Sequence, residues 1–260
     1  MPWVGVIGGI ALMLATTNPV LAGPIADADG CPPARQIAPL PVQGPRPEPP
    51  PADGLGLDYR HRLRSTPAGW PVRNHWCLWI EPDQAEAGTA AAQRELQWRQ
   101  AVLAGLKPWQ TLLNISVVSE ADQAQVRVWR RLPSLQRQGQ GRLRASSGRA
   151  ILALVQVERG SGWRAEPRVE VLISPGRAPM AMQATALHEL GHAFGLWGHS
   201  DQPGDALATV PGAKPQLELS PRDRATLRWL MRQPDRLQTP TGPPQNPAAG
   251  RSPQPVPTAD

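Results

Sequence analysis

Residues 188–199 read HELGHAFGLWGH, and three of the chain's five histidines fall within them. His188 and His192 are four residues apart. On a helix that spacing puts both imidazoles on one face, one turn apart. A tetrahedral Zn2+ takes nitrogen ligands at about 2.0–2.1 Å, and two rings so placed can supply them. Glu189 then stands close to the open coordination position, where a carboxylate can take a proton from metal-bound water. The metal lowers that water's pKa toward about 7, and the base completes the activation.

A third ligand requires the helix to stop. Gly195 suits that stop, because glycine tolerates the left-handed conformation that ends helices. The turn lets His199 come back toward His188 and His192. Three neutral histidines leave a fourth position for water or substrate, as in a catalytic rather than a structural zinc site. A bare H-E-x-x-H arises by chance on ordinary helices. Here the segment extends to H-E-x-x-H-x-x-G-x-x-x-H, with a glycine three residues after the second histidine and a third histidine four residues after that glycine. His61 and His75 lack such spacing and read as structural or exposed.

The elements that must hold this segment follow from periodicity. Residues 72–80 (VRNHWCLWI) have the composition of a strand. Residues 84–106 are rich in helix formers, with Ala92, Leu96, Leu103 and Leu106 on one face and Lys107–Pro108 as the stop. Residues 113–119 and 125–131 read as strands, and 132–148 as a polar, Gly- and Arg-rich loop. Residues 150–157 and 168–173 are strands around a Gly-rich turn. A helix over 180–194 carries the first two histidines. Ser220, Pro221 and Asp223 form an N-terminal capping pattern for a last helix ending near Gln233–Pro234. The order β-α-β-β-β-β-α-loop-α predicts a small α/β or α+β domain, with helices packed on one main sheet.

The domain sits between proline-rich flanks, which hold much of the chain's 32 prolines. Residues 1–22 resemble an export signal: an apolar core over 4–15, then Val20 and Ala22 at −3 and −1 of a cleavage site after Ala22. That core is too short to span a bilayer, which takes about 20 residues. The mature chain is expected to be secreted or periplasmic, with no transmembrane span. Residues 23–66 read as a leader and linker, extended and mobile over 32–51. Residues 67–237 read as the folded domain and 238–260 as a disordered tail. Cys31 and Cys77 either pair or stay apart, the first free in the leader and the second buried. The net charge of +6 comes mostly from scattered arginines. No nucleic-acid-binding signature accompanies them, so no specific nucleic-acid partner is expected. A weaker reading makes the arginine-rich 132–148 a polyanion contact.

HELGHAFGLWGH resembles the zinc signature of the metzincin metallopeptidases, H-E-x-x-H-x-x-G-x-x-H, with one residue more between Gly195 and the third histidine, and Ser200 after that histidine is similar to the matrixin branch. LSPRD at 219–223 is similar to the start of that family's last helix. The resemblance implies an α+β zincin-type catalytic domain: a twisted, mixed, five-stranded sheet, an active-site helix and a C-terminal helix. It implies one catalytic Zn2+ on His188, His192 and His199, with Glu189 as general base. The family places a methionine turn beneath the zinc, and in matrixins that methionine follows the third histidine by eight. Leu207 stands there, and is expected to provide an apolar floor of similar volume. No cysteine-switch leader, calcium-site acid cluster or tyrosine ligand is expected.

The expected function is therefore a monomeric zinc endopeptidase acting on protein or peptide. Its substrate would lie extended beside an edge strand, most plausibly residues 150–157. The alternative is a catalytically silent zinc-binding domain that binds protein or cell wall.

Overall fold

The structure, a computed structural model, describes residues 30–42, 45–52, 54–138, 142–144, 146–159, 162–210, 212–233 and 237. The segments read as an export signal and as a C-terminal tail lie outside the described residues. No helix among the described residues is long and apolar enough to cross a membrane.

Eight strands form in chain order. They are β1 (Gln36–Pro39), β2 (Trp76–Ile80), β3 (Ile115–Val118), β4 (Val126–Trp129), β5 (Gln136–Gln138), β6 (Arg142–Arg144), β7 (Gly148–Arg159) and β8 (Gly162–Ile173). Three helices join them: α1 (Ala90–Gln110), α2 (Pro179–Ala193) and α3 (Pro221–Leu230). The fold is mixed α+β. Its main sheet has six strands in the order β1-β7-β8-β4-β2-β3. The pairs β2–β3, β2–β4 and β4–β8 are parallel, while β7–β8 and β1–β7 are antiparallel. Strand β2 is buried along its whole length between two parallel neighbours, which explains its nearly continuous apolar run. Alternation decides which face each residue serves. Trp76, Leu78 and Ile80 join Val126, Val128, Val169, Val171 and Ile173 in the core with the helices. Cys77 and Trp79 point to a smaller cluster with Cys31, Val118 and Ala124.

Helix α2 lies against α1 and β7, and the closeness depends on two glycines. A Cβ on Gly105 of α1 would sit 2.8 Å from Ala186 Cβ and from the Gln183 carbonyl oxygen. A Cβ on Gly148 would sit 2.4 Å from Thr185 Cγ2 and 2.7 Å from Glu189 Cγ. Both bare backbones let the histidine-bearing helix seat directly on its neighbours.

Several expectations need correction. The main sheet has six strands, not five, because the proline-rich leader supplies β1 along the outer edge of β7. The leader is also anchored at Cys31, which is bonded to Cys77. Tyr59 and Leu63, ahead of residue 67, are fully buried. The expected loop 132–148 contains a small hairpin, β5–β6. Helix α1 starts later than expected, where the Thr89 side chain caps Ala92 N–H at 3.1 Å. It also continues through Pro108 to Gln110. An interior proline costs about 3 kcal/mol; here burial of Leu106, Pro108 and Trp109 offsets it. The buried face of α1 is Trp98, Val102, Gly105 and Trp109, whereas Leu96 and Leu103 are exposed. The indoles of Trp98 and Trp109 carry the face, donating to the carbonyls of Ile173 and Leu187.

Candidate metal centre

Helix α2 carries His188, Glu189 and His192 in its last two turns. It ends at Phe194, and Gly195 follows with φ +107°. Leu196 N–H then returns to the Gly191 carbonyl at 3.0 Å. The reversal puts the Leu196 carbonyl over His192, whose Nδ1–H donates to it at 2.7 Å. A few residues later the chain passes Gly198, where a Cβ would lie 2.2 Å from the Arg62 carbonyl oxygen. That approach is open only to glycine, and it delivers His199 to the other two rings.

The three Nε2 atoms converge. His188 and His192 are 3.2 Å apart, and His199 is 3.3 Å from each. His188 Nδ1–H donates to the Ala206 carbonyl at 2.8 Å. With protons fixed on the Nδ1 atoms of His188 and His192, their Nε2 lone pairs face one another. Two acceptors at 3.2 Å cannot hydrogen-bond to each other, and a cation between them would relieve that contact. Ligands about 2.0–2.1 Å from a tetrahedral centre stand about 3.3–3.4 Å apart. The triangle of nitrogens fits that edge length, and the three histidines form a group able to hold a metal ion. Burial holds both rings below the ordinary imidazole value, His192 well below it, where its histidine neighbours add to the effect. They are therefore neutral at pH 7, as ligands must be.

Glu189 is buried beside the triangle, between α2 and the first residues of β7. Burial pushes its carboxyl up to about 8, against the opposing pull of the Ala150 N–H and Arg149. A cation at the three histidines would favour its charged form.

Leu207 is fully buried, and Cβ space on Gly191 is closed by its Cδ2 at 2.7 Å and by Trp109 Cζ2 at 2.9 Å. It thus lies against the helix turn that carries the histidines. Residues 200–208 close on themselves to bring it there: Ser200 N–H donates to the Leu207 carbonyl at 2.7 Å, and Ser200 Oγ to Asp205 Oδ2 at 2.5 Å.

One positioning residue was expected only as a helix cap. Asp223 is fully buried. Its Oδ2 accepts Ser220 N–H at 2.9 Å, completing the capping box, and Ala206 N–H at 2.8 Å. Its Oδ1 accepts the Tyr59 hydroxyl at 2.7 Å. Because the Ala206 carbonyl holds His188, Asp223 reaches that histidine through a single residue, Ala206. His61, read as structural or exposed, lines a cavity of about 340 Å3 with Pro49, Arg62, Arg64, Gly198, His199 and Thr209. His75 bonds Ser116 Oγ at 2.9 Å, away from the three-histidine group.

Three converging imidazoles, two of them held neutral by burial, with a buried carboxyl alongside could hold a divalent cation and move a proton next to it. No family model matches the chain, and no curated protein matches it.

Proposed function

We propose that the chain is a zinc-dependent peptidase of the metzincin type, exported from the cell and acting on protein or peptide. The observation that carries this reading is the Nε2 triangle of His188, His192 and His199, with two rings locked by backbone carbonyls and Glu189 beside it. The sheet order supports it as well, with one antiparallel strand, β7, bordering the helix that bears the site.

His188, His192 and His199 would hold the ion, and the carbonyls of Ala206 and Leu196 keep His188 and His192 aimed. Zinc, when bound, supplies Lewis-acid polarisation of the scissile carbonyl and a lowered pKa for the attacking water. The Glu189 carboxylate takes the proton of that water as the C–O bond forms. It then passes the proton to the amine nitrogen as the C–N bond breaks. Leu207 and Trp109 fill the space behind Gly191, so the ligand-bearing turn has no room to shift. A silent zinc-binding domain is the competing reading. The leader strand along β7 favours it, because it takes up part of the edge that substrate would use.

Zinc content of the purified chain, with casein and gelatin hydrolysis before and after chelation, tests the proposal. One zinc per chain and chelator-sensitive hydrolysis are expected. Zinc without turnover on a broad peptide library would leave the silent reading; no zinc would remove both.

A further inference from the structure

The edge strand expected to receive substrate is not free along its length. Strand β1 runs antiparallel to the far half of β7, with Gln36 opposite Glu158 and Pro39 opposite Val155. Arg35 N–H donates to the Glu158 carbonyl at 2.9 Å, and Leu40 N–H to the Leu154 carbonyl at 3.0 Å. The even-numbered residues of β7 therefore present their polar backbone groups outward. At the near end the Ala150 N–H is directed to Glu189. Between these two, Leu152 is the outward-facing position that β1 does not reach. Four residues of strand separate Ala150 from Leu154, about 13 Å at the usual rise.

The leader also crosses beside the metal centre. Leu40 and Val42 pack on the core. Farther along, the Pro47 carbonyl accepts from Ser65 Oγ at 3.3 Å, and Pro49 walls the cavity beside His199. The disulfide Cys31–Cys77 ties its start to β2.

We infer that β1 and Leu40 after it cap the free edge of β7, limiting the main-chain pairing of a substrate to about three residues on the acyl side of the scissile bond. This rests on the peptidase reading. An extended peptide pairs most stably with β7 in the antiparallel sense. It then runs in the same direction as β1, and its amino-terminal end meets Leu40. Longer chains are still accepted, but residues farther toward the amino terminus leave the edge and add no main-chain hydrogen bonds to β7.

The test measures binding, not turnover. Peptides ending in a hydroxamate at the scissile position, with one, two, three, five or eight residues before it, are titrated onto the zinc-loaded full chain. Each new main-chain hydrogen bond is worth roughly 2- to 10-fold in affinity. The gain should stop at about three residues, with five and eight no tighter. In Leu40→Pro with Val42→Asp, the gain should continue through five, and the Gln156 amide should lose its protection from hydrogen exchange. An unbroken climb with length in the unmodified chain would overturn the inference alone. So would the same plateau in the variant once Gln156 exchanges freely. Absence of binding at every length would overturn the peptidase reading and the inference with it.

Discussion

Replacing Asp223 separates stability from metal positioning. Its carboxylate accepts three hydrogen bonds, from Ala206 N, Ser220 N and the Tyr59 hydroxyl, at 2.7–2.9 Å. Burial and the Asp223 charge raise the Tyr59 pKa well above its ordinary value, so the phenol stays a donor. Asp223→Ala leaves all three donors without that partner, the Tyr59 hydroxyl and Ala206 N–H in buried positions. At roughly 1–3 kcal/mol for each, a total loss near 4 kcal/mol is expected. Asp223→Asn can turn its oxygen to the two amides and its NH2 to Tyr59. It loses charge assistance at the two amides, about 1 kcal/mol each, and reverses the Tyr59 bond, so that the hydroxyl accepts and its own proton loses this acceptor, for about 3 kcal/mol in total. Urea unfolding of the zinc-free chain measures both. Zinc affinity is the second readout, because the Ala206 carbonyl holds His188. Loss of such an outer partner costs about 10- to 100-fold in metal affinity. Leu78→Ala, in the fully buried core of β2, should cost a similar 2–5 kcal/mol without touching the ligands. If Asp223→Ala and Leu78→Ala bind zinc equally well, the path from Asp223 through Ala206 to His188 does not position the metal.

The floor of the site makes a contrasting pair. Leu207→Met is close to volume-conserving and should cost under about 1.5 kcal/mol with zinc retained, as read by thermal unfolding and metal content. Gly191→Ala puts a methyl 2.7 Å from Leu207 Cδ2 and should cost about 1–3 kcal/mol, partly recovered by adding Leu207→Ala. Gly198→Ala meets a backbone carbonyl instead of a flexible side chain, so zinc affinity should fall with no recovery from a neighbouring substitution. Replacing both Cys31 and Cys77 by Ser opens a loop with a sequence separation of 46. The loop-entropy relation gives a loss of about 4 kcal/mol, read from denaturant midpoints. Zinc at about 1,000 times its dissociation constant should stabilise the chain by about 4 kcal/mol, a gain that chelation removes.

The site was legible because its signals are local. Histidines at i and i+4, a glycine three residues on and a third histidine four beyond fix the geometry within twelve residues. Ser220, Pro221 and Asp223 were equally plain, since a capping box is a four-residue pattern. What could not be read depends on contacts distant in sequence. The Asp223 carboxylate serves the cap and also reaches Ala206, 17 residues earlier. The leader's prolines carry no strand periodicity, yet β7, more than a hundred residues later, offers an unpaired edge that Gln36–Pro39 can satisfy. Cysteine pairing needed the same tertiary knowledge. On α1, the leucines at helical spacing suggested one face, whereas Trp98 and Trp109, larger and each with a carbonyl partner, turned another inward.

The most direct test of the peptidase reading compares the unmodified chain with Glu189→Gln at equal zinc loading on one peptide library, with cleavage followed by mass spectrometry. Glutamine keeps the side chain's shape in its buried slot and removes its capacity as a base. The expected result is unchanged zinc content with cleavage reduced by at least about 100-fold, the usual scale of a general base. Equal cleavage by both proteins, or none by either with zinc bound, would contradict the assignment of Glu189 and of the hydrolytic site built around it.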